Sequence, residues 1–565
     1  RFGPRVSMEL AEIMRLCAFR HESAHAGTLL AMVGVEPESP EGVTMSRSLR
    51  LSLATAAPVS LLALVVGCST QDEFVTAKGA ALHQAVDCDD LLEQIQADAI
   101  AKLDQQVEFY RTNSGYYRGG GLDGGVDFGA EDGGDNAGGD PTGQPAPEAP
   151  STDDGGTSGE GSSGGDKDSP DSHSETNTQV EGVDEADIVK TDGERIYLLH
   201  GDRFFLVDAW PADETRILGS VQVEGSGYEM FVEDGKAVLF SLVYPNDVPG
   251  GKAANEVKPV YDCYDCWGGP NFTKISVFDV TGNVPELERE MLFEGYYVSG
   301  RRHGDVVRTI VQGGFKAPNL YYPSIEYYDS FGNELSQDRI NEQLDRWRAD
   351  TTTDIKNTDL EDWIPRRFER EGDAWSALPT ECGSFYTPEP GRVQEGVTQV
   401  VTFDVKKDAD PHVVAVLGGA ETVYANEDVL VLGQTDWTYD LFSIDSTRTS
   451  LHQFAIDGSK TSYQASGFVP GYLHNQFSID EKDGVIRVST TENVRTDAND
   501  PWVSETRNRV FALSRGDSSE IEVLSLSEAL DETGEPILAP RILGNRASVV
   551  TFRTTDPLDI VDLSN

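Results

Sequence analysis

Between Gln179 and Asn565 the chain repeats itself. Where nothing is inserted the period is about fifty residues. Each unit carries four short runs rich in Val, Ile, Phe and Tyr, separated by Asp-Gly or Asn-type turns. The first copy reads Ala186–Val189, Arg195–His200, Arg203–Asp208 and Ile217–Val221. Later copies open at Met230, Tyr296, Thr422 and Gln476, and a sixth opens near Arg541. Their third runs keep one flavour: "FLVDA", "SVFDV", "VTFDV", "HQFAID", "VFALSR", "DIVDLS". Four strands per unit at this period predict an all-β chain built as a β-propeller of about six to eight blades. A β-sandwich would not repeat this way. The sixth unit reaches Asn565 after three strands, which leaves a sheet edge open. The expectation is therefore a propeller domain over 179–565 that is incomplete at its C-terminal side.

The repeats are preceded by three segments of different texture. A helix is expected near Asp90, where Asp90-Leu-Leu-Glu93 reads as a capping box. Leu92, Ile95, Ala99, Leu103, Val107 and Tyr110 follow at helical spacing. That single apolar stripe should dock on the body. From about Gly119 to 178 the chain is Gly, Ser, Asp, Pro and Glu, with almost no large apolar residues. It cannot bury enough surface to offset its own entropy, so it reads as a disordered acidic tether.

Further upstream, "MSRSLRLSLATAAPVSLLALVVGCST" begins at Met45. Arg47 and Arg50, a short apolar run and Val65-Val66-Gly67-Cys68 follow in the order of a secretory signal. The last four residues resemble a bacterial lipobox. That resemblance implies lipidation of Cys68 after cleavage at 45–67, with 68–118 as the anchor and helical segment. Several acyl chains on one residue give a stable anchor where one chain does not. Ser69 follows the cysteine, which by the same resemblance points to the outer membrane or cell surface. Residues 1–44 precede a complete signal and read as upstream sequence outside the mature protein.

Cys88, Cys263, Cys266 and Cys382 remain as disulfide candidates, and four cysteines allow three pairings. Cys88 at the helix start is placed to staple the helix to the body. A lone Cys263-x-x-Cys266 lacks the second pair of ligands a zinc site needs.

The net charge of −52 repels phosphate backbones and argues against a nucleic-acid partner. No Gly-x-Ser-x-Gly, phosphate loop or dinucleotide fingerprint is present, so there is no catalytic constellation to assign. Candidate ligand positions are polar residues on innermost strands. Asp184, Glu185 and Asp187 lie at the start of the first unit, where carboxylates suit a hard cation such as calcium. Asn475, Gln476 and Arg487 lie in the fifth unit, and Arg553 and Asp556 in the sixth. Each set could line a channel or lock neighbouring blades. The aromatic run Tyr321–Phe331 sits in a long insertion, about 317–392, and reads as a glycan or protein contact or as simple packing.

"TNTQVEGVDEADIVKTDGERIYLL", "GYLHNQFSIDEKDGVIRVSTTENV" and "RILGNRASVVTFRTTDPLDIVDLSN" closely resemble secreted bacterial and archaeal proteins with a C-terminal β-propeller distantly related to WD40 repeats. The resemblance implies fold and export but no reaction. The functional expectation is a lipid-anchored extracytoplasmic module binding an envelope protein, glycan or peptide, with no required cofactor. The alternatives are a propeller hydrolase or quinoprotein-like oxidoreductase with a channel site, and a calcium-stabilised surface protein.

Overall fold

The computed structural model describes residues 81–119, 178–244, 271–314, 325–372, 374–390, 396–436, 447–495, 504–516, 518–528, 530, 535–551 and 558–564. The expected signal, Cys68, Cys263, Cys266, Arg553, Asp556 and most of the acidic tether lie outside these residues.

The repeat folds as a β-propeller. Among the described residues six sheets follow one another along the chain, each built on consecutive antiparallel strands. Blade 1 is Val189–Thr191, Arg195–His200, Arg203–Asp208 and Arg216–Gln222. Blade 2 is Ser226–Glu233, Lys236–Val243, Phe272–Asp279 and Glu286–Glu294. Blade 3 is Tyr296–His303, Val306–Gly313, Val397–Asp404 and His412–Leu417. Blades 4 and 5 start at Thr422 and Ile479, and blade 6 has three strands, Ile537–Leu543, Arg546–Thr551 and Leu558–Asp562. Asp-Gly pairs close the first hairpins of blades 2 and 5. Asp234 and Gly235 have φ of 49° and 75°, Asp483 and Gly484 of 55° and 83°. Two consecutive positive φ values match the right-handed strand twist, and Asp and Gly tolerate them best.

Adjacent blades bury their faces against each other. Phe231, Val238 and Phe240 of blade 2 pack on Val307, Val311 and Phe403 of blade 3, all essentially inaccessible to water. Each such side chain contributes about 1.5–3 kcal/mol by leaving water. Blade 1 meets blade 2 through Tyr197, Leu199, Phe204 and Leu206 against Met230, Leu239 and Phe278.

The chain must step from one blade to the next within a few residues, and glycine makes that step possible. Gly225 and Gly295 stand immediately before an innermost strand, and Gly418 and Gly471 immediately after the fourth strands of blades 3 and 4, with φ of 82°, 129°, 136° and 87°. A Cβ there would collide with Leu242 O, Gln312 O, the Gln434 amide or Thr491 O respectively. A threonine one residue into the third strand then fastens the step. Thr273 Oγ1 donates to Gly295 O at 3.0 Å, Thr398 to Gly418 O at 2.6 Å and Thr449 to Gly471 O at 2.8 Å, all buried. Each bond satisfies a carbonyl that water cannot reach.

The expected helix is α1, Cys88–Gly119. Its cap falls three residues before the expected box. Asp87 Oδ1 accepts from Asp90 N, and Asp90 Oδ2 accepts from Val86 N. The buried stripe is centred on Leu91 rather than Leu92: Leu91, Ile95, Ala99, Leu103 and Val107 are buried. They pack on Ile340, Leu344 and Ile355 of α2, Gln337–Lys356, and on Trp363. The helix α2 belongs to the long insertion of blade 3. After it the insertion adds strands to two blades. Arg367–Glu371 and Ala374–Ala377 widen blade 2, and Phe385–Thr387 with His83–Gln84 widen blade 3. Cys88 and Cys382 are disulfide-bonded, Cα atoms 5.0 Å apart and 294 positions apart in sequence, so α1 is tied covalently to the insertion.

Replacing Thr398 by valine leaves Gly418 O buried without its donor. The expected cost is about 1–3 kcal/mol, read as a lower denaturant midpoint at unchanged m-value. A Thr449→Val variant should lose a similar amount.

Candidate functional site

The central channel is where a propeller ligand would be sought, and in this chain it is crossed by the protein itself. The difference from the sequence reading lies in blade 1. Its innermost strand is Val189–Thr191, not Ala186–Val189. The residues before it do not start blade 1; they pair with other blades. Asp184 and Glu185 form an antiparallel edge on Arg302 and Arg301 of blade 3. Asp187 and Met230 of blade 2 exchange two backbone hydrogen bonds, 3.1 and 2.8 Å. Earlier still, Gln179 Nε2 donates to Gln476 O and Ile479 O at blade 5, both at 3.0 Å. A Cβ on Gly182 would come within 3.0 Å of Glu427 in the first turn of blade 4. The stretch 179–191 thus reaches blades 5, 4, 3, 2 and 1 in turn.

Side chains complete this crossing. Asp184 Oδ1 accepts from the buried Lys190 Nζ at 2.8 Å. Glu185 accepts from Gln179 N at 3.2 Å and Gln476 Nε2 at 3.3 Å, and lies 4.0 Å from the buried Arg301 guanidinium. Arg301 Nη2 also donates to Gln476 Oε1 at 2.7 Å and Val423 O at 3.1 Å. Arg301 therefore links blades 3, 4 and 5 and the crossing segment. Asp187, exposed, accepts from its own neighbour Ile188 N at 2.6 Å. Asn475 caps the short turn Gln476–Ser478 by accepting from Phe477 N. Arg487 pairs with Asp480 on its own blade and donates to Gly544 O of blade 6. The described sequence candidates thus have partners within the fold.

Sequence reasoning missed Arg301, Lys190 and Glu229. The adjacent pair Arg301-Arg302 inside a strand was the available signal, because one of two neighbours on a strand must face inward. Glu229 accepts from Tyr297 OH at 2.8 Å. Burial raises the Glu229 carboxyl above its usual range, and burial together with Glu229 pushes the Tyr297 hydroxyl far up.

The two ends of the propeller differ. Because strands alternate in direction, the turns after strands 1 and 3 emerge on one face, and those after strands 2 and 4 on the other. The first face is tight and cross-stitched. Arg195 of blade 1 donates to Val280 O at 2.6 Å and Gly282 O at 3.0 Å in a turn of blade 2. Arg289 of blade 2 donates to Ala409 O of blade 3 at 2.9 Å. Arg308 of blade 3, with no exposed surface, reaches Gly458 O and Thr461 Oγ1 of blade 4. Burial lowers its pKa to about 10. A cleft of about 410 Å³ on this face is lined by Arg289, Asp404, Lys406 and Lys407. Its cations are paired: Arg289 with Glu369, Lys406 with Asp234 and Asp305, Lys407 with Asp404. On the second face strand 2 ends and strand 3 begins in blades 2 to 5, at Val243 and Phe272, Gly313 and Val397, Asp436 and Arg448, and Arg495 and Ser504, each pair separated by a long stretch of sequence. In the aromatic run of the blade 3 insertion, Ile325 and Tyr327 pack against the helices, while Phe331 is 89% exposed.

One pair has the look of nucleophile chemistry. His452 Nδ1 lies 2.7 Å from Ser466 Oγ, which accepts from Tyr463 OH, which accepts from Leu82 N. His452 and Ser466 are 5% and 1% exposed, so no substrate reaches them. They fix Leu82 to blade 4. Among the described residues no group of three or more His, Cys, Asp or Glu is arranged to hold a metal.

A family model described as "Beta propeller domain" matches residues 173–565, and the chain belongs to that family. It is similar to an uncharacterized protein of Methanocaldococcus jannaschii, 22% identical over 438 residues, covering 70% of this chain and 60% of that one. An uncharacterized protein of Archaeoglobus fulgidus is 26% identical over 436 residues, covering 70% and 62%. The chain thus spans about three fifths of the length of these relatives. Among solved structures, the N-terminal domain of Nup159 matches at 7% identity and TM-score 0.21, covering 65% of this chain and 73% of that one. At that score the likeness carries no argument.

Burial lowers the His452 pKa from its usual 6.5 to about 4. Between those values the unfolded chain binds the proton and the folded chain does not, so stability falls as pH drops from 6.5 towards 4. The shift corresponds to about 3 kcal/mol. His452→Gln should remove that part of the slope, measured as the difference between the two proteins' unfolding free energies at pH 7 and pH 4.5. An identical pH dependence in both would refute it.

Proposed function

We propose that this chain is an exported, lipid-anchored binding module whose propeller engages a protein, glycan or peptide through the face that carries the long connections. One observation carries the reading: the stretch 179–191 lies across the channel, paired by its backbone with blades 3 and 2 and by the Gln179 and Glu185 side chains with Gln476 at blade 5 and Arg301 of blade 3. A site inside the channel would compete with the bonds that join the blades. The tight face is committed to blade-to-blade bonds. That leaves the looped face for recognition, which is where variable segments on a rigid scaffold serve binding best.

The anchor belongs to the same proposal. The lipobox-like Val65-Val66-Gly67-Cys68 places an acyl group on Cys68, and the acidic tether sets the propeller away from the membrane. No specific observation favours the enzyme reading, since Arg487 is bonded to Asp480 and Gly544.

Metabolic labelling with palmitate in a diderm bacterial host tests the anchor. Cys68 should carry the label, and Cys68→Ser should lose it and leave the membrane fraction. Equal labelling of both proteins would end the anchored reading. For the recognition face, glycan and peptide arrays should register binding that changes with substitutions in the looped face and not with Lys406→Ala on the tight face.

A further inference from the structure

The first strand of blade 3 ends in three residues that hold blade 4 and the crossing together. Arg301 donates to Val423 O of blade 4, and Arg302 lies opposite Asp184 of the crossing. His303, the last of them, is half-buried between two partners. Its Nε2 is 2.8 Å from Asn426 O in the first turn of blade 4, and its Nδ1 is 3.3 Å from Arg308 Nη1. Arg308 only donates, so Nδ1 accepts and Nε2 carries the proton that Asn426 O receives. The neutral ring, in this one tautomer, satisfies both neighbours.

A second proton has no place there. It turns Nδ1 into a donor facing a guanidinium that has no exposed surface. Arg308 cannot retreat without loss, because its other nitrogens hold Gly458 O and Thr461 Oγ1 of blade 4. The ring cannot swing aside without leaving Asn426 O. Either movement breaks bonds between blades 3 and 4. The charged groups around the ring are few. Arg308 and Arg301 oppose an imidazolium, and Glu427, next to Asn426 in the chain, favours it. Glu481 of blade 5 is engaged by the Asn426 amide. Burial first, and then Arg308, hold the ring's pKa below its ordinary 6.5. The same turn carries the crossing. A Cβ on Gly182 would come within 3.0 Å of Glu427 Oε1, so the crossing rests on the residue that a charged His303 attracts.

We propose that His303 is a proton-operated latch. Neutral, it closes the seam between blades 3 and 4 with the crossing seated on it. Charged, it opens that seam and loosens the crossing, so that acidic surroundings give access to the channel. Above pH 6.5 the ring is neutral in the closed and the opened seam alike, and the latch stays shut. As pH falls below 6.5 the opened seam takes up the proton first, and opening is favoured progressively.

Hydrogen exchange of the full chain, read by mass spectrometry at pH 7.5 and pH 5.0, tests the latch. Peptides covering 180–187 and 422–430 should be protected at pH 7.5. At pH 5.0 they should exchange about tenfold faster relative to intrinsic rates. His303→Gln, whose amide accepts from Arg308 and donates to Asn426 O without titrating, should keep both peptides protected at both pH values. His452→Gln removes a different buried histidine and should respond to acid as the parent does. Melting temperatures at pH 7.5 establish that the variants fold. Should His303→Gln not fold, Glu427→Gln decides: it leaves the neutral latch intact, removes an attraction for the imidazolium, and should reduce the acid response. An unchanged response there would overturn the proposal. Equal acid responses in the parent and His303→Gln would also overturn it and assign the opening to Asp184 and Glu185. So would a parent that shows no acid response.

Discussion

The architecture depends on one extended stretch inside the ring. From Gln179 to Thr191 the chain pairs backbone to backbone with blades 3 and 2 before it becomes the first strand of blade 1. An innermost strand is the narrow end of every blade, and its outer hydrogen-bonding edge is open to the channel. Filling part of that edge with the chain's own backbone satisfies groups that would otherwise need water. It also places Arg301 where one buried guanidinium can hold Gln476, Val423 O and Glu185 together. Removing a partner from such a network leaves a buried charge without compensation, which costs more than the bonds themselves contribute. The crossing therefore fixes the blades and takes the channel out of use in the same step.

The remaining features divide between two faces. On one, arginines reach into the turns of the next blade and saturate their carbonyls. On the other, the connections lengthen, one of them into a strand-and-helix insertion that widens blades 2 and 3 and receives α1. The Cys88–Cys382 bond joins segments almost three hundred positions apart, so helix α1 is part of the folded body. A propeller with one face committed to blade-to-blade bonds is a scaffold module.

Much of the fold was legible because each blade repeats a period-two pattern bounded by turn residues. The "FDV"-type third strand located blades 2 and 3 within a residue or two. The same segments hid a finer signal. In Thr273-x-x-x-x-Phe278, Thr398-x-x-x-x-Phe403 and Thr449-x-x-x-x-Phe454 the threonine stands five before the phenylalanine, and it is this hydroxyl that closes each blade crossing. The carboxylates of the first unit were visible as a cluster, but their destination was not. Whether Asp184 heads blade 1 or pairs with Arg302 is decided by a contact more than a hundred residues away, which no local pattern encodes.

The most direct test of this account is amide hydrogen exchange at Asp187 and Met230. Their reciprocal bonds exist only if the stretch 179–191 lies against blade 2. The account predicts that both amides exchange as slowly as those of the central strands and are released only by global unfolding. Exchange of Asp187 at the rate of an exposed loop, with Met230 following it, would show that the segment is not held across the channel and would return the channel to the list of candidate binding sites.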